Sequence, residues 1–500
     1  MPKTLGNGYL LGIDLGSSSV KAALVDAQTQ KVLALAQAPD TEMDIAAPHA
    51  GWAEQDPALW WHYVIEVVHK LFKTSGLDAT QVRAIGISYQ MHGLVTLDAA
   101  GKVVRPAIIW CDSRAVEIGR EAMDALGAPY CMVHYLNGPG NFTASKLRWV
   151  QQNEPALYER IRWAMLPGDY IAYRFTGEMG TTISGLSEGI LWDFKAHSHA
   201  QQLLSHYGID SALLPPILPT FGLQGRVQAA IAAELGIPTG TPVTYRAGDQ
   251  PNNALSLNAL KPGEVAATGG TSGVIYGVVD KPVGDPYQRV NSFAHVNHQP
   301  DAPRIGVLLC INGAGIQHRW MRQFFASQGT TYAEMETQAA KIAIGSEGLR
   351  ILPFGNGAER MLGNRDVGAQ YLGIQFNRHQ TSHFYRAGLE GIAFSFVYGA
   401  QVMQTLGLDV SILRAGNDNL FQSAIFAQTI ANLLQCRIEV LRSTGAVGAA
   451  LAAGVGIGLW SDPSEAMGTL ELMQVYEPQT ALAQYQEAYL DWVTNLRKML

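Results

Sequence analysis

Two short runs of glycine and hydroxyl residues stand out as places where backbone could grip an anion. In the first, Asp14-Leu15-Gly16-Ser17-Ser18-Ser19, an aspartate ends an apolar stretch and small residues follow at once. A turn of that composition turns N–H groups and hydroxyls toward a phosphate, whereas the carboxylate beside it would repel one. The pairing makes sense if Asp14 holds a hydrated Mg²⁺ that bridges phosphate oxygens; the alternative is a hairpin with a solvated Asp. In the second run, Thr268-Gly269-Gly270-Thr271-Ser272-Gly273, glycines allow close approach and three hydroxyls can donate to phosphate. Its alternative is a plain tight turn. Either motif alone is weak, but two in equivalent places read as a pair of phosphate clamps facing across a cleft.

Asp249 follows Ala247 and Gly248, which leave its carboxylate uncrowded. Near a transferable phosphate it could accept the proton of an attacking hydroxyl; it could equally cap the segment that follows. In Arg414-Ala415-Gly416-Asn417-Asp418-Asn419, Gly416 and Asn417 sit between a strand and a helix, a platform for a nucleotide base or ribose, or a simple connection. Met91 and His92 come at a strand end in Tyr89-Gln90-Met91-His92-Gly93 and could shape a pocket for a small polar ligand, although a lone histidine is commonly structural. In Trp110-Cys111-Asp112-Ser113-Arg114, Trp110 offers an aromatic wall and Asp112 and Arg114 polar partners, a mixture that suits a sugar. Gly185-Leu186-Ser187-Glu188-Gly189 matches a hydrolase nucleophile elbow, but the residues before it are too few for the strand an elbow needs. There is no GxxxxGK[ST] and no HExxH.

These groups need a scaffold, and the chain reads as two α/β halves that begin alike. The stretch 8–37 predicts strand, glycine turn, strand, polar turn, strand, and 264–282 again predicts a strand, a glycine-rich turn and a returning strand. Asp56-Pro57 predicts a helix start, with Trp60, Val64, Val67, Val68 and Leu71 on one face. Helical spacing recurs over 390–403 and along Leu482, Tyr485, Tyr489, Trp492 and Leu496. Strands are expected over 82–90 and 241–249. Alternating strands and helices favour an α/β fold whose ligand binds where the halves meet.

Composition narrows the classes. Charged residues are 15 % of the 500, which excludes a disordered chain. A net charge of −7 with no basic block argues against a nucleic-acid partner. The uncharged stretch 443–461 is mostly Gly and Ala and predicts a buried helix packed on a sheet, not a membrane span. The N-terminal residues lack the pattern of a secretory leader, so a cytoplasmic protein is expected, with cysteines 111, 131, 310 and 436 as reduced core thiols.

The same motifs carry a resemblance to a known family. Segments 12–21 (GIDLGSSSVK), 51–57 (GWAEQDP), 90–93 (QMHG), 110–114 (WCDSR), 141–149 (NFTASKLRW) and 167–178 (PGDYIAYRFTGE) occur in order. Segments 247–254 (AGDQPNNA), 267–273 (ATGGTSG), 357–373 (GAERMLGNRDVGAQYLG) and 414–419 (RAGNDN) follow. In order and spacing they resemble the FGGY carbohydrate kinases, the xylulokinase group most of all.

The resemblance implies an α/β fold of two ribonuclease-H-like domains of the actin and sugar-kinase superfamily, 1–249 and 250–500, around a central cleft. It implies transfer of the γ-phosphoryl of ATP, with Mg²⁺, to a hydroxyl of a ketopentose, D-xylulose giving D-xylulose 5-phosphate. On that footing Asp249 is the catalytic base and Asp14 positions Mg²⁺. Gly16, Ser17, Ser18 and Ser19 form one phosphate loop, and Gly269, Gly270, Thr271 and Ser272 the other. Gly416 and Asn417 form the adenosine site. Met91 and His92 contact the sugar, with Trp110, Asp112 and Gln250 beside them. Gln250 stands where the group usually has Asn, Cys111 where it has Asn, and only Gly248 remains of a usual glycine triplet. Related acceptors are ribulose, fuculose, gluconate and glycerol; a sugar-independent actin-like ATPase is the remaining alternative. Family habit implies a homodimer.

Overall fold

The computed structural model describes residues 8–480 and 482–500; the first seven residues of the N-terminal stretch read above lie outside them. The expected meander is present as β1 (Tyr9–Leu15), β2 (Val20–Asp26) and β3 (Val32–Ala38), antiparallel throughout. Next comes α1 (Pro57–Ser75), started where predicted: the Asp56 carboxylate accepts from the Ala58 N–H, and Trp60, Val64, Val67, Val68 and Leu71 are all buried. It packs on β2 and β3. β4 (Val82–Tyr89) is buried along almost its whole length, as a parallel strand covered on both faces must be. α2 (Thr143–Asn153) and the short α3 (Ile183–Glu188) follow. The GxSxG run therefore lies mostly on a helix, with no elbow. β5 (Val243–Gly248) completes a sheet of order β5-β4-β1-β2-β3.

α4 (Asp249–Ser256) leads into the second half. There β6 (Glu264–Gly269), β7 (Gly273–Val279), β8 (Asn291–Ala294) and β9 (Ile305–Ile311) precede α5 (Gly315–Phe325) and α6 (Thr381–Gln404). β10 (Ile412–Gly416), β11 (Arg437–Arg442), α7 (Gly445–Gly456), β12 (Glu471–Tyr476) and α8 (Ala483–Arg497) finish the chain. The sheet runs β8-β9-β7-β6-β10-β11-β12. Its inner five strands, β9-β7-β6-β10-β11, repeat the first sheet's sequence of two antiparallel and two parallel pairings. The likeness of pattern between the halves is thus a likeness of topology.

α4 and α7 cross between the two sheets: α7 packs on β1, β2, β4 and β5, while α4 packs on α7, β6 and β7. The Gly- and Ala-rich stretch expected to pack closely on a sheet does so, although it belongs to the second half of the chain and lies on the sheet of the first. The approach is as close as backbone permits. A Cβ on Gly12 would lie 1.8 Å from the Ala446 carbonyl oxygen, and one on Gly86 would lie 1.9 Å from that of Ala449. The Asn252 amide donates to the Gly445 carbonyl at 2.9 Å, pinning α4 to α7. No helix among the described residues is long and apolar enough to cross a membrane. All four cysteines are free; Cys131 and Cys436 are buried as expected, but Cys111 and Cys310 are exposed. Cys111 follows Trp110 in a turn, and Cys310 is the one residue of β9 turned out of the core.

Gly86→Ala puts a methyl into a helix backbone that cannot move without shifting the whole sheet–helix contact. It is expected to destabilise the protein by about 1–3 kcal/mol or more, read as the midpoint shift in denaturant unfolding. Unchanged stability would mean that α7 does not sit on this strand.

Candidate active site

The first glycine turn closes on itself through the Gly16 N–H, which donates to the Ser19 carbonyl at 3.0 Å. Neighbouring loops fix it: the Gln55 amide donates to the Ser17 carbonyl at 2.7 Å, the Met43 N–H to that of Ser18 at 2.8 Å, and the Trp110 indole N–H to the Ser17 hydroxyl at 3.3 Å. Asp14 lies in register with Lys21 on β2 and Ser88 on β4. Its Oδ2 would be 2.6 Å from a Cβ on Gly445, so it faces the N-terminal turn of α7, where the helix dipole favours an anion. Desolvation nonetheless raises its proton affinity, against the pull of Ser88 and Lys21.

Asp249 opens α4 at the end of β5, with Gly248 in the capping position. The alternative role as N-cap therefore falls to Gly248. Burial, and then the like charge of Asp14, push the Asp249 carboxyl up to about 7, while the backbone N–H and side-chain amide of Gln250 hold it down. Gln250, expected at the sugar, thus has its amide on the Asp249 carboxylate. Two acids whose charges interact, beside turns able to bind polyphosphate, are residues that could hold a divalent cation. Among the described residues no three acidic, His or Cys side chains gather closely enough to cage a metal. The donor set fits a hard cation such as Mg²⁺ that keeps water and phosphate oxygens as its other ligands.

The second glycine turn forms one wall of a cavity of about 520 Å³, through Gly269, Gly270 and Thr271. Gly315 and Ile316, at the start of α5, donate N–H groups to the Gly270 and Thr271 carbonyls at 2.9 and 3.0 Å. The opposite walls come from α5, from Tyr332, Ala333 and Glu336, and from Asp418 to Leu420, Gln422 and Ser423. Ser272 is not part of the lining. Gly416 and Asn417 are not either: their carbonyls accept the side-chain amides of Asn419 and Gln422, so the pair shapes the turn and the residues just after it face the cavity. His318 and Tyr332, whose rings lie 4.7 Å apart, give this chamber an aromatic side suited to a purine base. Asn253 on α4 donates to Thr268 Oγ1 at 3.2 Å, tying the helix of Asp249 to this clamp.

On the other side of Asp249, Met91 Cγ would lie 2.6 Å from a Cβ on Gly248, so Met91 leans on the strand end that carries the carboxylate. His92 is held at φ 61°, in the left-handed region. Its Nδ1 lies 2.8 Å from the Glu188 carbonyl, an acceptor only, so Nδ1 carries the proton. Burial, with Lys146 nearby, pushes its pKa down to about 3, which keeps the ring neutral and leaves Nε2 as an acceptor. Its ring meets Phe142 at 4.8 Å and Phe293, from the second sheet, at 5.2 Å. Lys146 on α2 is fully buried and donates to the His92 carbonyl at 2.9 Å and the Ile109 carbonyl at 3.0 Å, joining the loops of His92 and Trp110.

Trp110 itself is exposed beside the first clamp. Asp112 is not presented to a ligand: it is 0 % exposed, and its carboxylate accepts the Ala53 N–H at 2.7 Å and the Arg114 guanidinium from 2.7 to 3.0 Å. Arg114 also pairs with Glu54 at 2.7 Å and lies over Trp52, 3.8 Å from the ring centre. Asp112 thus anchors the loop that presents Trp110. Phe142, Lys146, Phe293, Glu188, His318 and Tyr332 had no role in the sequence reading. Phe142 and Lys146 were signalled by the segment 141–149 and Glu188 by the GxSxG run, though for a different chemistry; Phe293, His318 and Tyr332 enter through long-range packing.

Two repeated α/β sheets around a cleft, with both acids and one glycine turn from the first lobe and the second glycine turn from the other, define a two-lobed phosphotransferase of the ribonuclease-H-like, actin and sugar-kinase fold. The family model for the N-terminal domain of the FGGY family of carbohydrate kinases matches residues 9–256, and that for the C-terminal domain matches residues 265–457. The chain belongs to this family and is an ATP-dependent carbohydrate kinase. It is similar to a xylulose kinase of Staphylococcus epidermidis, 28 % identical over 94 % of this chain and 92 % of that one. It is similar to the L-xylulose/3-keto-L-gulonate kinase of Escherichia coli, 30 % identical over 96 % and 95 %. Among solved structures, a xylulose kinase from Rhodospirillum rubrum superposes with a TM-score of 0.88 over 98 % of this chain and 99 % of that one, at 27 % identity.

Asp112→Ala leaves the buried Arg114 without one of its two carboxylate partners. It is expected to lose about 3–5 kcal/mol of unfolding stability, measured by denaturant titration. Wild-type stability with a selective loss of sugar affinity would instead make Asp112 a sugar ligand.

Proposed function

We propose that this kinase phosphorylates a ketopentose, D-xylulose giving D-xylulose 5-phosphate, with Mg²⁺ as the metal. The observation that carries the reading is the position of Asp249, between Asp14 on one side and the Met91–His92 wall on the other. A base there reaches both a bound hydroxyl and the end of a triphosphate. ATP would place its base in the chamber of His318 and Tyr332 and its phosphates between the two glycine turns. The sugar would lie against Met91, with His92 Nε2 accepting from one of its hydroxyls and Trp110 covering its outer face. Asp249, ionised, would take the proton of the attacking hydroxyl, and a proton affinity near neutrality suits a base that must also release it. Gln250 would hold the carboxylate in line, one methylene farther out than an Asn could. Mg²⁺, held near Asp14 and Asp249, would supply charge to balance that on the transferring phosphoryl oxygens. Closure of the lobes would exclude water as a rival acceptor.

A second acceptor class follows from the 30 % identical relative named for L-xylulose and 3-keto-L-gulonate: an L-ketose or a keto-aldonate. The test is ATP consumption with a panel of D- and L-ketopentoses, keto-aldonates, gluconate and glycerol, compared as kcat/KM. D-xylulose is expected to lead by at least tenfold, the order a single misplaced hydroxyl can yield. A lead by L-xylulose or a keto-aldonate transfers the assignment to the second class, and ATP turnover indifferent to all of them contradicts a sugar acceptor.

A further inference from the structure

α3 ends on a carboxyl that neither clamp uses. Glu188 is 1 % exposed, and neither of its carboxyl oxygens makes a hydrogen bond of ordinary geometry. A carboxyl in that position is costly unless it stays neutral or finds a partner. The residue touches three parts of the site. Its carbonyl oxygen accepts the Nδ1–H of His92 at 2.8 Å. Its Oε2, with Met91 Cγ, fills the space over residue 248, 2.5 and 2.6 Å from where a Cβ would stand; only glycine fits there, one residue ahead of Asp249. Its helix is fastened to the other lobe, because Ser184 Oγ donates to the Ala294 carbonyl at 3.1 Å and the Ala294 N–H donates to Ser187 Oγ at 2.9 Å. Ala294 follows Phe293, whose ring meets His92.

We propose that Glu188 is a positioning residue of the sugar site, a wedge that holds Met91, His92 and the Asp249 strand end in one register and links them to the edge strand of the second lobe. The inference rests on the reading of Met91, His92 and Asp249 given above. Desolvation holds the Glu188 carboxyl well above the usual range, against the pull of the Tyr89 hydroxyl, and the charges of Asp249 and Asp169 add to the rise. The groups around it are Tyr89 from β4, Asp169 from the helix Pro167–Thr176, Asp249 from α4 and Tyr276 from β7. The cation in this cluster is Arg246 from β5, which pairs with Asp169 at 3.2 Å. A glutamine keeps the length and shape of this side chain without its charge and can fill the same space over Gly248.

The experiment measures kcat, sugar KM and ATP KM for full-length wild type, Glu188→Gln and Glu188→Ala, with whichever acceptor the wild type turns over fastest. Glu188→Gln is expected to stay within about twofold of wild type in all three. Glu188→Ala is expected to raise the sugar KM about tenfold or more and to lower kcat, with ATP KM unchanged, since an error of about an ångström at the reacting groups costs up to ~10²-fold. A Glu188→Ala enzyme with wild-type sugar KM overturns the inference, and so does a Glu188→Gln enzyme as impaired as Glu188→Ala. Should Glu188→Ala not fold, Glu188→Met keeps the length, removes the polar end and is held to the same comparison. The ¹⁵N shifts of the His92 ring read the wedge without any acceptor. They are expected to report Nδ1–H in wild type and Glu188→Gln and a tautomer mixture in the truncated variant, and an unmoved His92 there counts against the inference. A wild type with no acceptor at all would contradict the proposed substrate class, which the ring shifts leave separate from the wedge.

Discussion

Two carboxylates share one poorly hydrated corner between two sheets. Asp14 and Asp249 each pay desolvation, and the charge of Asp14 makes Asp249 harder to ionise. Such a pair either keeps a proton or is completed by something positive. The surroundings offer a helix N-terminus behind Asp14, Lys21 on the adjoining strand and the Gln250 amide on Asp249. None of these is a full counter-charge within the pair. A divalent cation carrying a polyphosphate would be, which is the occupant proposed above for this corner.

The rest of the architecture serves that corner. Crossing helices α4 and α7 fix the distance between the sheets because glycines at 12 and 86 let α7 lie directly on strand backbone. α4 carries Asp249 at its first residue and reaches the second clamp through Asn253. A displacement of one lobe therefore moves Asp249 relative to the glycine turns. The buried Asp112–Arg114–Glu54 cluster and Lys146 do the corresponding work for the loops of His92 and Trp110, holding backbone polar groups that would otherwise lack partners.

Much of this was legible from sequence. Strand endings at Asp14 and Asp249, the two glycine turns, the start of α1 at Asp56 and the tight-packing stretch 443–461 are local signals: a cap, a period or a run of small residues. What escaped was set at long range. Asp112 has the same local appearance whether it faces a sugar or an arginine, and only the fold puts Arg114, Glu54 and Ala53 around it. Phe293 reaches His92 from the other half of the chain. Glu188 sits in a motif that was weighed for a different chemistry, and its burial comes from β4, β5 and β7 together. The shift of the chamber wall from Gly416 and Asn417 to the residues just beyond them is a matter of where a turn points, which letters do not encode.

The central claim is that the carboxylate of Asp249 takes the proton of the acceptor hydroxyl. The most direct measurement is steady-state turnover of Asp249→Asn, which keeps the shape and the Gln250 contact but cannot act as a base. The account predicts a kcat lowered by about 10²–10⁴-fold. A variant that turned over sugar at near wild-type rate would contradict it.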